Sequence, residues 1–525
     1  MKIRYLAVVF FISVVVASCN YNATEQKPET AVLNASESYR PYVFKNNNRA
    51  EQIKSVSNEI NKLFEEDANA KNIPGVAWGI IVDDQLVVAS SAGLINLDEN
   101  LPATTKSNFR IASMSKSFTA MAILKLRDEG KLSLDDPAAI YISGMKKLKY
   151  LTGDATVIKV EDLLTMSAGF PEDNPWGDRQ LDEPDQMLMK MVNEGISFSN
   201  IPSYTYEYSN TGYALLGNII SRVSGMPYQQ YIRKNIFEPL QMEDTYWEYD
   251  SITGDRLVHG YRWEDGQWKL EPMLHDGAFG SMGGIITTIE DFSKYVGFHL
   301  SAWPPRSTTD SGPVKRSTLR EMHRIRIPWL NTNNKDWNGD SCPSVEGYGY
   351  GLRIHKNCKG IYRISHGGAL PGFGSNYVFY PEYGIGIMMF GNLTYTWAWP
   401  LAEIEKLLFE TLDLQSRQLP VSDILKKRKE QVAQLIQSWD KGLEAEILAE
   451  NFYPDKSREH RMAEIKKVLD KAGHIKTINE MKPVNQLRGS FTMNAENGEI
   501  AVFFTLNPEA NAKVQDLEVN FRPKR

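Results

Sequence analysis

Ahead of residue 415 the strand-like segments of this chain fall into two groups, at 75–92 and 348–390, and most of what lies between them reads as helix or loop. A strand in a folded core needs partners for its backbone groups, so the two groups are expected to share one sheet, with a central helical block between them. The early group is two apolar runs around Asp83-Asp84, Gly75 to Val82 and Gln85 to Ala92, which read as a hairpin. The late group is Tyr348 to His355, Ile361 to Ser365, Asn376 to Tyr380 and Ile385 to Phe390, separated by Gly-rich turns. Ile53, Val56, Ile60, Leu63 and Phe64 have the spacing of an amphipathic helix. Further helices are expected at Ser113 to Glu129, Val160 to Met166, Thr211 to Val223, Pro227 to Phe237, Phe292 to His299 and Leu401 to Leu412. This order points to an α/β or α+β domain.

The chain ends read differently. Lys2 and Arg4 precede an apolar run from Tyr5 to Ala17 broken by Ser13, which is the pattern of an export signal and too short to span a bilayer. The run closes in Val16-Ala17-Ser18-Cys19, which resembles a bacterial lipobox and implies that residues 1–19 are a lipoprotein signal with Cys19 as the lipidated residue. Asn20 does not look like an inner-membrane retention residue, so the expected location is exported and lipid-anchored, at the outer membrane facing the periplasm. Residues 20–47, rich in Asn, Ser, Glu and Thr, read as a flexible tether, and 48–414 as the main domain. Within it, 302–346 is rich in Pro, Thr, Asn and Asp and reads as a long loop insertion. Its Trp329 and Trp337 are candidates either to rim a pocket or to form a local cluster. Past 415 come charged helices (Val421 to Ser438, Glu464 to Lys471) and alternating strands (Gly489 to Met493, Ile500 to Leu506, Val514 to Phe521). They read as a separate small α+β domain at 415–525 without a catalytic signature.

The net charge of -6, from 65 acidic and 59 basic residues without long blocks of either sign, argues against nucleic acid as a partner. Cys19, Cys342 and Cys358 are too few for a zinc cage. An exported location permits disulfides, so with Cys19 lipidated a Cys342–Cys358 bridge is expected.

Three short motifs carry chemistry. Ser-x-x-Lys occurs at Ser113/Lys116, Ser143/Lys146 and Ser438/Lys441, and only the first opens a long helix, where one turn sets the ammonium on the face of the hydroxyl. A serine hydroxyl needs a base within reach, and a buried lysine of lowered pKa is one solution; the plainer alternative is a helix cap and a solvated lysine. Tyr208-Ser209-Asn210 leads into a helix; its phenol can shuttle protons and its amide can serve lysine and substrate, or Ser209 or Asn210 can cap the helix. His366-Gly367-Gly368-Ala369 follows a strand, where glycines let a substrate lie on the strand edge and an amide face an oxyanion; His275-Asp276-Gly277 is a rival without a preceding strand.

Together with Phe109 to Lys116, Leu163 to Gly169, Tyr208 to Gly217 and Gly283 to Thr288, these segments resemble the serine beta-lactamase and penicillin-binding-protein superfamily, in its class C beta-lactamase-like branch of D-alanyl-D-alanine carboxypeptidases, D-aminopeptidases and esterases. The resemblance spans roughly residues 50 to 414. It implies an α+β sandwich, an antiparallel sheet flanked by helices plus a helical subdomain. It also implies Ser113 as acylated nucleophile, Lys116 as its base or proton relay and Tyr208 as general base then acid. Asn210 would contact Lys116 and the substrate amide, and His366 would hold the substrate carboxylate or polarise Tyr208. The amides of Ser113 and Ala369, beside Gly367 and Gly368, would form the oxyanion hole.

Two departures stand out: His366-Gly367-Gly368 replaces the Lys-Thr-Gly of class C beta-lactamases, which makes efficient lactam hydrolysis less expected, and Met166 stands where relatives often have histidine. No Gly-x-Ser-x-Gly, His-Glu-x-x-His or P-loop pattern occurs, and no cofactor is expected. The expected function is an envelope-anchored serine hydrolase acting through acyl-Ser113 on peptide, peptidoglycan-derived or ester substrates, foremost as a D-alanyl-D-alanine carboxypeptidase or related D-amino-acid peptidase. A carboxylesterase or weak beta-lactamase is the alternative of the same class, and a catalytically silent peptidoglycan-binding protein the alternative of another.

Overall fold

A computed structural model describes residues 36–524, so the export signal with Cys19 and the first part of the tether lie outside the described residues. Among these, 41–420 form one compact unit, and 36–40 with 421–524 a second.

The larger unit is built on a nine-stranded antiparallel sheet. Its spatial order is Leu101–Pro102, Gln85–Asn96, Gly75–Val82, Ile385–Gly391, Phe373–Tyr380, Tyr362–Leu370, Arg353–Lys356, Ser344–Tyr348 and Ile327–Asn331. The strand Gly75–Val82 pairs with Gln85–Asn96 on one side and Ile385–Gly391 on the other, which joins the two strand groups. Its run of apolar residues is explained by burial on both faces. Ala77 and Ile81 face the helical block, whereas Val76, Trp78, Ile80 and Val82 face the first and last helices of the unit. On that second face Trp78 stacks on Phe64 with ring centroids 5.1 Å apart. Replacing such a buried aromatic by alanine costs about 3–5 kcal/mol.

The amphipathic stretch at 53–64 is two helices, Arg49–Ser55 and Ser57–Ala70, meeting at Val56. The tether is also shorter than expected. Val43 forms a β-bridge with Gln418, and Phe44 lies between the guanidinium groups of Arg49 and Arg417, at 3.5 and 4.5 Å.

The segment 302–346 is not a plain loop. It holds the helix Arg316–Met322 and the edge strand Ile327–Asn331, which pairs with Ser344–Tyr348. An edge strand that alternates between half-buried and exposed residues carries a weak apolar signal, which hid it among the Asn- and Thr-rich turns. The stretch Tyr348 to His355 is likewise not one strand but the ends of two, reversed at Gly349 to Leu352, where Gly351 takes φ +69° against the backbone of Lys116. Cys342 and Cys358 are joined by a disulfide.

The smaller unit packs helices Asp423–Ser438, Lys441–Ile447 and Arg458–Ala472 with an antiparallel five-stranded sheet. Ser422, Asp440 and Ser457 cap the three helices with their side-chain oxygens. Its core includes Leu425, Ile436, Phe452, Phe491 and Phe504.

Candidate active site

Ser113 sits in a short 3-10 turn, Ala112–Met114, at the head of the helix Ser115–Asp128. The residue before it, Ala112, has φ +50°, a left-handed conformation that costs an alanine roughly 1 kcal/mol. The neighbours hold it there: Ile111 donates its N–H to Ile285, and its carbonyl accepts Ser375 Oγ at 2.8 Å. The helix behind the turn is buried on nearly every side, so Lys116, one turn on, is itself wholly buried.

The Lys116 amine has three oxygen partners: Ser113 Oγ at 3.0 Å, Asn210 Oδ1 at 2.7 Å and the Met282 carbonyl at 2.9 Å. Burial lowers its pKa to about 7, against the pull of Asp178 and Asp173 in the other direction. A neutral amine has two N–H donors and one lone pair. Asn210 Oδ1 and the Met282 carbonyl are pure acceptors and take the two protons, so the lone pair faces the one partner with a proton to give, Ser113.

The other Ser-x-x-Lys pairs have no such contact among the described residues. Ser438 Oγ instead donates to the Gln434 carbonyl one helical turn back, and Ser143 and Lys146 lie in a short 3-10 segment. Ser209 caps the helix Asn210–Ser224 by accepting from the Gly212 N–H, which leaves the Asn210 side chain for Lys116. Tyr208 is buried and lines the cleft with Ser113. Burial pushes its phenol well above the ordinary value, so it rests protonated.

His366 lies in mid-strand, not at a strand end, because Tyr362–Leu370 runs on through the glycines paired with Phe373–Tyr380. The neighbouring strand Arg353–Lys356 pairs only as far as Ser365, so that edge carries no ladder partner along 366–370. Gly368 lies close against the nucleophile turn. A Cβ there would lie 2.2 Å from the Ile111 carbonyl oxygen.

Both ring nitrogens of His366 are engaged within the protein. Nδ1 faces the Gly367 carbonyl at 2.6 Å and so carries the proton, and Nε2 accepts from Tyr348 Oη at 3.0 Å. Burial, with Lys116 and Arg353 nearby, lowers its pKa to about 3. His366 thus rests neutral on the cleft wall, its ring centroid 6.5 Å from that of Tyr208.

These residues border a cleft of about 680 Å³. Its lining includes Ser113, Tyr208, His366, Gly367, Gly368 and Ala369, and also residues that the sequence did not single out: Arg353, Asp178, Asn174, Tyr206, Tyr395 and Trp397. Arg353 is a guanidinium on the cleft wall, held by a bond to Tyr206 Oη at 3.2 Å. Trp329 packs at a tilt on Tyr206, with centroids 5.2 Å apart, Trp337 packs on Phe409, and neither is among the lining residues of the cleft. His275 lies outside it, exposed between Glu248 and Tyr249. Nothing in the local sequence marks Arg353. The turn-rich Pro171-Glu172-Asp173-Asn174-Pro175 was a usable signal for a loop, though not for what it covers. No group of three or more His, Cys, Asp or Glu residues placed to hold a metal occurs among the described residues.

The family model described as Beta-lactamase matches residues 60–408, more than half of the chain. The chain belongs to the Beta-lactamase family. This Beta-lactamase family member is 26% identical over 386 residues to Protein flp of Staphylococcus aureus (strain MW2), covering 71% of this chain and 70% of that one. It is 28% identical over 271 residues to Beta-lactamase-like protein 2 of Dictyostelium discoideum, half of this chain and 49% of the other. The octameric penicillin-binding protein homologue from Pyrococcus abyssi has a similar fold, with TM-score 0.56 and 22% identity over 89% of this chain and 98% of that one. A penicillin-binding protein from Bacillus halodurans gives TM-score 0.53 at 23% identity, over 66% and 99%. The fold of this family member is that of the beta-lactamase and penicillin-binding-protein-like serine hydrolases.

Proposed function

We propose that this protein is a hydrolase acting through an acyl-Ser113 intermediate on peptides that end in a carboxylate, foremost as a D-alanyl-D-alanine carboxypeptidase or related D-amino-acid peptidase. The observation that carries the reading is the buried amine of Lys116, with two acceptors fixing its protons and its remaining face on Ser113 Oγ. Lys116 takes the Ser113 proton as the hydroxyl attacks the substrate carbonyl. Tyr208, protonated at rest, hands its proton to the leaving amine and recovers one from the neighbouring Lys116 ammonium. The oxyanion is received at the Ser113 turn and the open strand edge at Ala369. Water then attacks the ester with the same groups in reverse order.

Arg353 supports the choice of substrate, since a guanidinium on the cleft wall suits a terminal carboxylate. The lipobox at Cys19 supports the setting: we propose an exported protein anchored in the bacterial envelope, close to peptidoglycan.

The test is release of D-alanine from a muropeptide ending in D-Ala-D-Ala, by protein lacking residues 1–19 and by its Ser113→Ala variant. Release that disappears in the variant is the expected result. Turnover of nitrophenyl esters without peptide turnover would replace the peptidase reading with a carboxylesterase. No Ser113-dependent turnover of any substrate would remove the enzyme reading.

A further inference from the structure

We propose that the loop Glu172 to Asp178 is a positioning element for this site: it fixes which end of the Asn210 carboxamide faces Lys116, and through that amide it aims the lysine at Ser113. The inference rests on the acyl-serine reading above and adds to it a set of residues that do not themselves react.

Asn210 has contacts on each side of its amide. Oδ1 accepts from Lys116 at 2.7 Å, while Nδ2 donates to Asn174 Oδ1 at 2.7 Å and reaches Asp178 Oδ1 at 3.4 Å. The loop also grips the backbone beneath. Asp173 accepts the Asn210 N–H on Oδ1 at 2.7 Å, and the Thr211 N–H and hydroxyl on Oδ2 at 2.7 and 2.8 Å. Gly177 lies directly on the amide, where a Cβ would stand 2.8 Å from Asn210 Cβ and 2.9 Å from Nδ2.

Turning the amide over would set its NH₂ against the lysine N–H groups and its oxygen against the Asp178 carboxylate, a repulsion on each side. With Nδ2 occupied by the loop, Oδ1 remains an acceptor for Lys116. One lysine proton is then committed to Asn210 and one to Met282, and the lone pair stays on Ser113. Were the amide free to turn, the lone pair would be drawn to the NH₂ and the serine would lose its base. The role needs oxygen acceptors at 174 and 178. The charge at 178 has a second effect: burial raises the Asp178 carboxyl to about 6, and above that pH its anion favours the protonated lysine.

The two effects separate in substitution pairs. The readouts are nitrophenyl ester turnover from pH 5 to 10 and labelling of Ser113 by a fluorophosphonate, followed by intact mass, which needs no knowledge of the natural substrate. Asn174→Leu and Asp178→Leu remove an acceptor and are expected to lower the plateau of kcat and of the labelling rate about tenfold or more, with KM little changed, while Asp178→Leu, like Asp178→Asn, also moves the acid limb to lower pH. Asn174→Asp and Asp178→Asn keep an oxygen in place and are expected to recover most of that loss. Asn174→Asp adds negative charge near Lys116, holds its proton more tightly and moves the acid limb to higher pH. Asp178→Asn removes charge and moves it to lower pH. Gly177→Ala keeps every acceptor and charge but presses on the amide, so it is expected to slow labelling without moving the limb. Thermal melting identifies any variant that fails to fold, and the remaining pair then carries the comparison.

Equal rates in the leucine variants and their oxygen-bearing counterparts would overturn the positioning role. Wild-type protein labelled at Ser113, with all variants labelling equally fast, would overturn it while leaving the acyl-serine reading intact. Wild-type protein that takes no label at Ser113 would overturn both.

Discussion

Ser375 Oγ donates at 2.8 Å to the carbonyl of Ile111, 264 positions earlier in sequence, fastening a strand of the sheet to the turn that presents Ser113. The left-handed Ala112 between Ile111 and Ser113 has no local reason to persist, so this contact and the Ile285 carbonyl hold it. Gly368 makes the approach possible: its hydrogen lies where any side chain would strike both the Ile111 oxygen and Ser375 Oγ, at 2.2 and 2.4 Å.

Gly368→Ala is therefore expected to push the strand off the nucleophile turn. Overpacking of this kind costs about 1–3 kcal/mol of stability, which the unit survives, while kcat falls by on the order of tenfold or more. Kinetics beside a melting curve check it, and an unchanged kcat in a folded variant would refute the account of the turn.

The pH dependence follows from Lys116. Its reactive form is neutral, so kcat/KM is expected to rise with pH and reach half its plateau near 7. His366, held neutral with a pKa near 3, adds no step between pH 5 and 9. Lys116→Arg keeps a cation that does not lose its proton and is expected to abolish turnover across that range. A profile flat from pH 5 to 9 would contradict the assignment of the base.

Arg353 is expected to govern substrate choice. Arg353→Met removes a charged hydrogen-bonding partner worth about 1.5–3 kcal/mol, or roughly 10- to 100-fold in kcat/KM for a carboxylate-ended peptide. A neutral ester, having no carboxylate to lose, should be affected less than about threefold. Equal losses on the two substrates would remove Arg353 from recognition.

Acid stability should report a second buried cluster. His299 Nδ1 and His323 Nε2 are 2.9 Å apart, and Trp303 Nε1 donates to His323 Nδ1 at 3.1 Å. Burial lowers His299 to about 3 and His323 well below its ordinary value. Between their folded values and the unfolded value near 6.5 the unfolded chain binds more protons. Their contribution is thus complete above pH 6.5 and lost as pH falls, with a slope of about 1.4 kcal/mol per pH unit for each histidine. Denaturant titrations from pH 7 to 4 on the wild type and His323→Gln measure it, and the variant is expected to show the shallower slope.

Much of the site was legible in the chain because its parts are local. The Ser113/Lys116 spacing is one helical turn, and Tyr208 and Asn210 flank a serine that caps a helix, so short motifs carry the geometry with them. His366 was legible as a position, but its partners within the protein were not. Whether its nitrogens were free depended on Tyr348 and on the strand continuing through Gly367 and Gly368. The 302–346 segment misled because an edge strand buries too little to show alternation.

By itself the sequence determined the two strand groups that share a sheet and the one-turn spacing of Ser113 and Lys116, since period, caps and helical spacing are properties of neighbours in the chain, while the family and the pairing of those two residues with Tyr208 and Asn210 came from the resemblance of its motifs. Only the tertiary structure decided that Lys116 loses its solvent, that Arg353 shares a cleft with Ser113, and that the loop at 172–178 lies on the Asn210 amide. Those facts depend on which distant segments exclude water around a group, and a one-dimensional pattern does not record that.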